Sequence, residues 1–146
     1  MPFTFRLDPL ISIRDNILKE KQAALAQAYE ARRIKEEERG ELEQNIAGNL
    51  QSARKVMQSG KIDVNFLLGV RRHEMFLIAQ LEEVRQQIVL IEEEIERRRQ
   101  AVIEANKELK IIEKLREKKR EQYLAEEKRK EIRDMDEIAG VKRNAG

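Results

Sequence analysis

The feature that most constrains this chain is a heptad pattern in its second half. Between Leu67 and Ile112, alternating steps of three and four residues pass through fourteen positions, of which twelve are apolar. A period of 3.5 residues kept over so many turns is typical of helices that supercoil around a partner helix. The sequence therefore predicts a coiled coil. Its positions are Leu67, Val70, Glu74, Leu77, Leu81, Val84, Ile88, Ile91, Ile95, Arg98, Val102, Ala105, Leu109 and Ile112.

The first half of the chain predicts a second long helix. Proline occurs only at positions 2 and 9, and Asp8 before Pro9 is typical of a helix start, so we expect helix 1 over about residues 8–58. Apolar residues recur there at a helical spacing, although the stretch Arg32–Gly40 is nearly all charged. The recurring residues are Leu7, Leu10, Ile11, Ile17, Leu18, Leu25, Ala28, Leu42, Ile46, Leu50, Ala53 and Met57.

A turn over about residues 59–63 separates the two helices. Gly60 suits the left-handed conformation that ends a helix, and Asp63 suits the cap of the next one. Helix 2 is expected over about 64–138, followed by a frayed tail over 139–146 that contains Gly140. A short turn makes the helices antiparallel, with paired residue numbers adding up to about 122.

The predicted fold class is all-α: a long two-helix antiparallel coiled-coil hairpin, forming a single domain over residues 1–146. The apolar heptads stop at Ile112, close to the point where helix 1 runs out of residues to pair with them. Residues Lys118–Ile138 should then form a C-terminal helical overhang. A parallel dimer of two broken helices is the alternative; it explains the heptads but not the break before Asp63.

Composition excludes several classes of function. Thirty lysines and arginines nearly balance twenty-eight aspartates and glutamates, whereas a nucleic-acid-binding protein usually has a basic excess. The chain has no cysteine, and no apolar run reaches the ~18 residues needed to cross a membrane. We therefore predict no nucleic-acid partner, no transmembrane segment and a cytoplasmic location.

No residues predict catalysis. His73 is the only histidine, so a metal ligand or general base is one interpretation and a solvent-exposed helix residue is the other. No glycine-rich phosphate loop accompanies it, and a two-helix coiled coil offers no deep pocket. We predict that the chain is not an enzyme, with no catalytic, cofactor-binding or metal-binding residue and no cofactor.

Two stretches are candidates for binding other proteins. The overhang is dense in charge and could enter an acidic or mixed-charge protein cavity, or it could be a solvated helix with ion pairs such as Glu113–Arg116 and Glu126–Lys130. Near the turn, Phe76 and Ile78 lie off the heptad positions, so at least one of them should face solvent. Together with Phe66 they could form a partner patch, or simply pack broadly at the hairpin tip. The candidate residues are Arg71, Arg72, His73 and Phe76 near the turn, and Lys118, Lys119, Arg120, Tyr123, Lys128 and Arg129 in the overhang.

Both ends of the chain resemble the flagellar FliJ family. The start, Phe3-Thr-Phe-Arg-Leu-Asp-Pro-Leu-Ile-Ser-Ile-Arg-Asp, resembles that family's opening pattern of F-x-F-R-L-x-P-L-L-x-L-R. The stretch from Leu115 to Ala139, which is rich in Lys, Arg and Glu and ends in Met-Asp-Glu-Ile-Ala, resembles the family's C-terminal signature. Length, the break in the middle and the lack of cysteine also fit.

The resemblance implies a component of the flagellar type III export apparatus, located in the cytoplasm and associated peripherally with the inner face of the membrane. FliJ proteins are antiparallel coiled coils similar to the central stalk of rotary ATP synthases. The implied partners are the export ATPase, a membrane export gate protein and export chaperones. By resemblance the ATPase would face Phe3–Arg14 and Leu115–Ala139, and the gate would face Arg71–Gln80. The residues this adds to the candidates are Phe3, Phe5, Arg6, Leu7 and Arg14.

Two alternatives remain open at this point. A stalk protein of a virulence-type secretion system would have the same fold, although the FliJ-like ends argue against it. A purely structural coiled-coil spacer would benefit from heptads along its whole length, and this chain abandons them after Ile112.

Overall fold

Two long helices account for most of the chain. The computed structural model describes residues 2–60 and 63–145, in which α1 covers Asp8–Gln58 and α2 covers Val64–Ala145. The two helices pack against each other as an antiparallel hairpin, and no strand occurs within these residues. Tertiary contacts fall into two units, Gln22–Ala101 and the combination of Met1–Lys21 with Val102–Gly146. The single domain predicted for residues 1–146 stays a prediction.

The unit Gln22–Ala101 contains the turn and the main apolar core. Leu42 of α1 packs among Leu77, Leu81, Val84 and Ile88 of α2, and each of these side chains is at least nine-tenths buried. On the scale of about 25 cal/mol per Å² of apolar surface removed from water, such side chains dominate the stability of a two-helix structure. The core therefore lies along the predicted heptad positions.

The turn follows the expected chemistry where it is described. Gly60 has a φ of 80°, the left-handed conformation that ends α1, and Ser59 donates both its backbone N–H and its hydroxyl to carbonyls of the last turn. Asp63 accepts the backbone N–H of Asn65 on its Oδ1 at 3.0 Å, which caps α2. Lys61 and Ile62 of the predicted 59–63 turn lie outside the described residues.

All fourteen predicted heptad positions of α2 are buried or partly buried. The positions that would continue the pattern after Ile112 are exposed, with the exception of Tyr123, which is partly buried. The heptad positions of α2 that face α1, which we call the seam, therefore run from Leu67 to Ile112, and the predicted end of the seam at Ile112 is confirmed.

The predicted apolar stripe of α1 is wrong at three positions. Leu50 and Met57 are 46% and 55% exposed, and Leu7 precedes the helix and is 36% exposed. The positions that face α2 are instead Asn49 and Val56, because steps of four and three from Leu42 reach them and pass over the two larger residues. Asn49 is retained in the interface because its Nδ2 donates to the carbonyl of Val70 at 3.2 Å.

A charged residue in the α2 seam finds a hydrogen-bond acceptor in the backbone of α1. Arg98 donates through Nη1 to the carbonyl of Ala24 at 2.6 Å and through Nε to Glu94 at 2.9 Å. Hydrogen bonds from Arg97 and Arg98 lower the pKa of the Glu94 carboxyl. At pH values above the ordinary pKa of a glutamate, this lowered pKa stabilises the folded state. The stabilisation is lost as the pH falls through the lowered pKa.

In the unit that combines Met1–Lys21 with Val102–Gly146, the beginning of the chain contacts α2 through polar and aromatic side chains. Arg14 and Glu108 form an ion pair at 2.6 Å, and Asp8 pairs with Arg116 at 3.3 Å. Before α1 begins, the ring of Phe3 lies 5.5 Å from that of Tyr123. The residue numbers of Arg14 and Glu108 add up to 122, and so do those of Arg98 and Ala24 in the unit Gln22–Ala101. The predicted pairing is therefore confirmed.

The end of α2 differs from the prediction. The helix continues to Ala145 instead of ending near Ile138, and Gly140 has an ordinary helical φ. A helical glycine costs only about 1 kcal/mol, and Lys142 and Arg143 in the last turn favour the helix dipole. Gly146 of the predicted frayed tail lies outside the described residues.

The two predicted ion pairs near this end do not form. Arg116 pairs with Asp8 rather than Glu113, and Glu126 makes no ion pair with Lys130. Exposed pairs of this kind contribute only a few tenths of a kcal/mol, so a contact across to the start of the chain competes successfully.

Two glycine substitutions should have opposite effects on stability. Gly48 lies inside α1 with open space around it, so Gly48→Ala should stabilise the fold by roughly 1 kcal/mol. Gly60→Ala should destabilise it by a similar amount, because a side chain strains the backbone at a φ of 80°. Chemical denaturation of the two variants measures the change in the free energy of unfolding for each. A stabilising Gly60→Ala would contradict the left-handed turn.

Candidate partner-binding site

A groove lies where the start of the chain runs alongside α2. It is lined by the segment Phe3–Leu7 on one side and by Leu115 and Lys119 of α2 on the other, and its volume is about 510 Å³. The backbone N–H of Asp8 donates to the carbonyl of Phe5, so a turn orients the segment before α1 begins. The groove is formed by the two stretches that carried the family resemblance.

The five residues proposed at the start of the chain have different roles. Phe5 is only 9% exposed and forms the floor of the groove, whereas Leu7 and the partly buried Phe3 form its sides. Arg6 is exposed, and neither Arg6 nor Lys119 forms an ion pair with another residue of the described chain. Arg14 is engaged by Glu108, so its charge is already compensated within the fold.

Charges on the end of α2 are segregated by face. At about 100° per residue, Lys118, Lys119 and Gln122 share the face of Leu115. The same face continues along the exposed helix with Glu126, Arg129, Lys130 and Arg133, and it becomes acidic at Asp136 and Glu137. The opposite face carries acidic and apolar residues together with Arg120 and Lys128. Those acidic and apolar residues are Glu113, Glu117, Glu121, Leu124, Glu131 and Met135.

Sequence reasoning missed this segregation. Glutamates and bases alternate closely along the chain, which suggested a mixed surface, but the helical period places most of them on different sides. Plotting the residues at the helical angle would have found it. The predicted binding residues Lys118, Lys119 and Arg129 are brought onto the groove side, and Arg120 and Lys128 are not.

After Tyr123, almost every described side chain of α2 is exposed to solvent. Residues 124–143 are exposed except for Glu127 and Gly140, which are partly exposed. No described residue in this stretch forms a tertiary hydrogen bond or ion pair. The apolar side chains of Leu124, Met135 and Ile138 are between 56% and 69% exposed.

The candidates near the turn belong to the unit Gln22–Ala101. Phe76 is 58% exposed and Ile78 47% exposed, and the Phe66 side chain is also exposed. Arg71, Arg72 and His73 are exposed beside them, and Arg71 pairs with Glu74 at 3.2 Å. These side chains are therefore exposed at the surface and are not part of the helix interface.

The described residues contain neither a metal-binding cluster nor a membrane-spanning helix. Within residues 2–60 and 63–145, no cluster of three or more His, Cys, Asp or Glu side chains is arranged to hold a metal ion. In the same part of the chain, neither helix contains a stretch long and apolar enough to cross a membrane.

Comparison with known proteins gives one family. The family model described as flagellar FliJ protein matches residues 3–144. No curated protein matches the sequence. Among solved structures, a protein from Chlamydia trachomatis described as a candidate YscO homolog, CT670, matches with 20% identity and a TM-score of 0.49. The match covers 96% of this chain and 94% of that one, but its TM-score is too low to support an argument about function.

Proposed function

Since the chain belongs to the FliJ family of flagellar proteins, we propose that it serves flagellar type III protein export as a coiled-coil stalk that binds other components and does no chemistry itself. In this function the stalk docks on the ring of the export ATPase and couples it to a gate protein in the membrane. It works in the cytoplasm, at the inner face of the membrane. Handling of export chaperones belongs to the same proposal.

The observation that carries the proposal is the exposed end of α2. Residues 124–143 form more than five turns of helix and make no tertiary hydrogen bond or ion pair among the described residues. An isolated helix of about this length is marginal in water, so its order is useful only when a partner covers it. Its Lys, Arg, Glu and Asp side chains suit a ring lined with mixed charges, and the adjacent groove offers an apolar anchor.

The gate contact is proposed for the face from Arg71 to Gln80. Phe76 and Ile78 are exposed there beside two arginines, and exposed aromatic and arginine side chains are the commonest anchors of protein interfaces. This face belongs to the unit that contains the turn, whereas the ATPase-binding residues belong to the other unit. Each contact can therefore be tested by substitutions in a separate set of residues.

The test is a binding titration of the intact chain against the export ATPase at increasing salt. Because the contacts are largely ionic, the dissociation constant should rise by roughly tenfold between low and moderate salt. The rate of ATP hydrolysis should change on binding. Absence of saturable binding at low salt would refute the stalk function while leaving the fold intact.

A further inference from the structure

The groove combines an apolar floor with two cations that form no ion pair among the residues that the structure describes. Phe5 and Leu115 supply apolar surface inside a space of about 510 Å³, which is large enough for one bulky side chain and its neighbouring backbone. Arg6 and Lys119 line the same groove, and neither forms an ion pair within the described chain. A ligand that fills such a site needs one apolar group with negative charge on both sides of it.

The charge around the groove extends in one direction. Starting at Leu115, the groove face of α2 carries Lys118 and Lys119, and about three to four turns beyond Lys119 it carries Arg129, Lys130 and Arg133. Glu126 is the one acidic residue on this face up to Arg133, and Asp136 and Glu137 follow on the same face one turn later. A bound segment that is acidic over several residues would therefore meet basic side chains well beyond the groove itself.

We propose that this groove, with the basic face of α2 beyond it, binds a segment of the export ATPase in which carboxylates flank a single bulky apolar side chain. The inference rests on the proposed function, and it names the face of the stalk and the chemistry of the partner segment. The apolar side chain enters between Phe3–Leu7 and Leu115. The flanking carboxylates pair with Arg6 and Lys119.

A protein segment fits the observations better than an anionic bilayer does. The apolar surface is concave, so it accepts a single side chain, whereas insertion into a bilayer needs protruding apolar groups. Glu117 and Glu121 are exposed on the opposite face of the same helix and would be repelled by a negatively charged membrane. The narrow basic face therefore selects a narrow acidic partner.

Charge reversal within the groove tests the ionic part of the proposal. The full-length double variant Arg6→Glu with Lys119→Glu should bind the export ATPase at least about tenfold more weakly than the parent. The matched control is Lys110→Glu with Lys114→Glu, which makes the same change in net charge at exposed positions outside the groove face. The control should stay within about twofold of the parent.

An apolar substitution tests the anchor. Leu115→Gln should also weaken ATPase binding by about tenfold, because the groove then lacks its apolar wall. Leu90→Gln is the control, since Leu90 is 63% exposed on the same helix and belongs to the other unit. Equal helicity and melting temperature of all variants would show that the groove, and not the fold, has changed.

A synthetic peptide separates this inference from the function on which it rests. Acetyl-Glu-Asp-Phe-Asp-Glu-amide should shift the nuclear magnetic resonance signals of Phe5, Leu115 and their neighbours, and the same peptide with alanine in place of phenylalanine should not. Failure of the intact chain to bind the ATPase, with the peptide still bound, would refute the proposed function but support the chemistry of the groove. ATPase binding that is equal for the parent and all groove variants would refute the inference alone.

Two other occupants would also overturn the proposal. Sedimentation with vesicles of phosphatidylglycerol and phosphatidylethanolamine that depends on Arg6 and Lys119 would assign the groove to a membrane. Light scattering that gives twice the 17.2 kDa mass of the chain, and a single mass for the double variant, would assign it to a second copy. The expected result is no vesicle binding and a monomer.

Discussion

Replacement of Ile88 by aspartate should unfold much of the hairpin near the turn. Ile88 is 5% exposed within the core formed with Leu42, Leu77, Leu81 and Val84. The substitution removes a buried apolar side chain and buries a carboxylate in its place, at a cost of about 4 kcal/mol or more. This is a large part of the 5–15 kcal/mol that stabilises an ordinary domain.

The measurement is a thermal melt followed by far-ultraviolet circular dichroism. For a chain of this length, such a loss corresponds to a fall in melting temperature of at least about 10 °C. Leu90→Asp is the matched control two residues away, because Leu90 is 63% exposed and should change stability by no more than about 0.5 kcal/mol. Similar melts for the two variants would mean that the heptad register is wrong.

Removal of residues 125–146 should abolish most binding to the export ATPase without weakening the fold. The described part of that stretch is almost entirely exposed and makes no tertiary hydrogen bond or ion pair. The truncated chain keeps Tyr123 and its contact with Phe3, so the groove is preserved. We expect binding at least about tenfold weaker, because most of the proposed ionic contacts are lost.

The comparison needs two measurements on the same truncated chain. Its melting temperature should equal that of the full-length chain, since no core residue is removed. Its affinity for the ATPase and its effect on ATP hydrolysis should both fall. If the truncated chain binds and stimulates the ATPase as well as the intact one does, the exposed end of α2 is not the docking element.

Heptad spacing made the interface of α2 predictable, and the same reasoning was less successful for α1. In α2 nearly every seam position is a bulky apolar residue, so the period could be read directly from the sequence. In α1 the seam passes through small and polar residues such as Asn49, and apolar Leu50 and Met57 lie off the seam. Hydrophobicity alone therefore chose the wrong side at those positions, because packing against α2 decides the register.

The binding site was predicted in part. Basic residues of the overhang and the aromatic start of the chain were selected from the sequence; the basic residues are exposed, whereas Phe5 is buried, and their role in binding stays a prediction. The groove could not be predicted, because it needs residues 3–7 to lie against Leu115 and Lys119, more than a hundred residues later. Nor does composition reveal which charges are already compensated, as Arg14 is by Glu108 and Arg116 is by Asp8.

The sequence by itself determined the two helices, the turn at Gly60 and the point where the seam ends at Ile112, because these depend on local propensity and on the helical period. Only the tertiary structure decided which cations remain without partners and which residues enclose the groove. Those properties depend on distances between segments far apart in the chain. The apolar groove, and the absence of an ion pair for Arg6 and Lys119 among the described residues, follow from the antiparallel pairing of the two ends, and no local pattern encodes them.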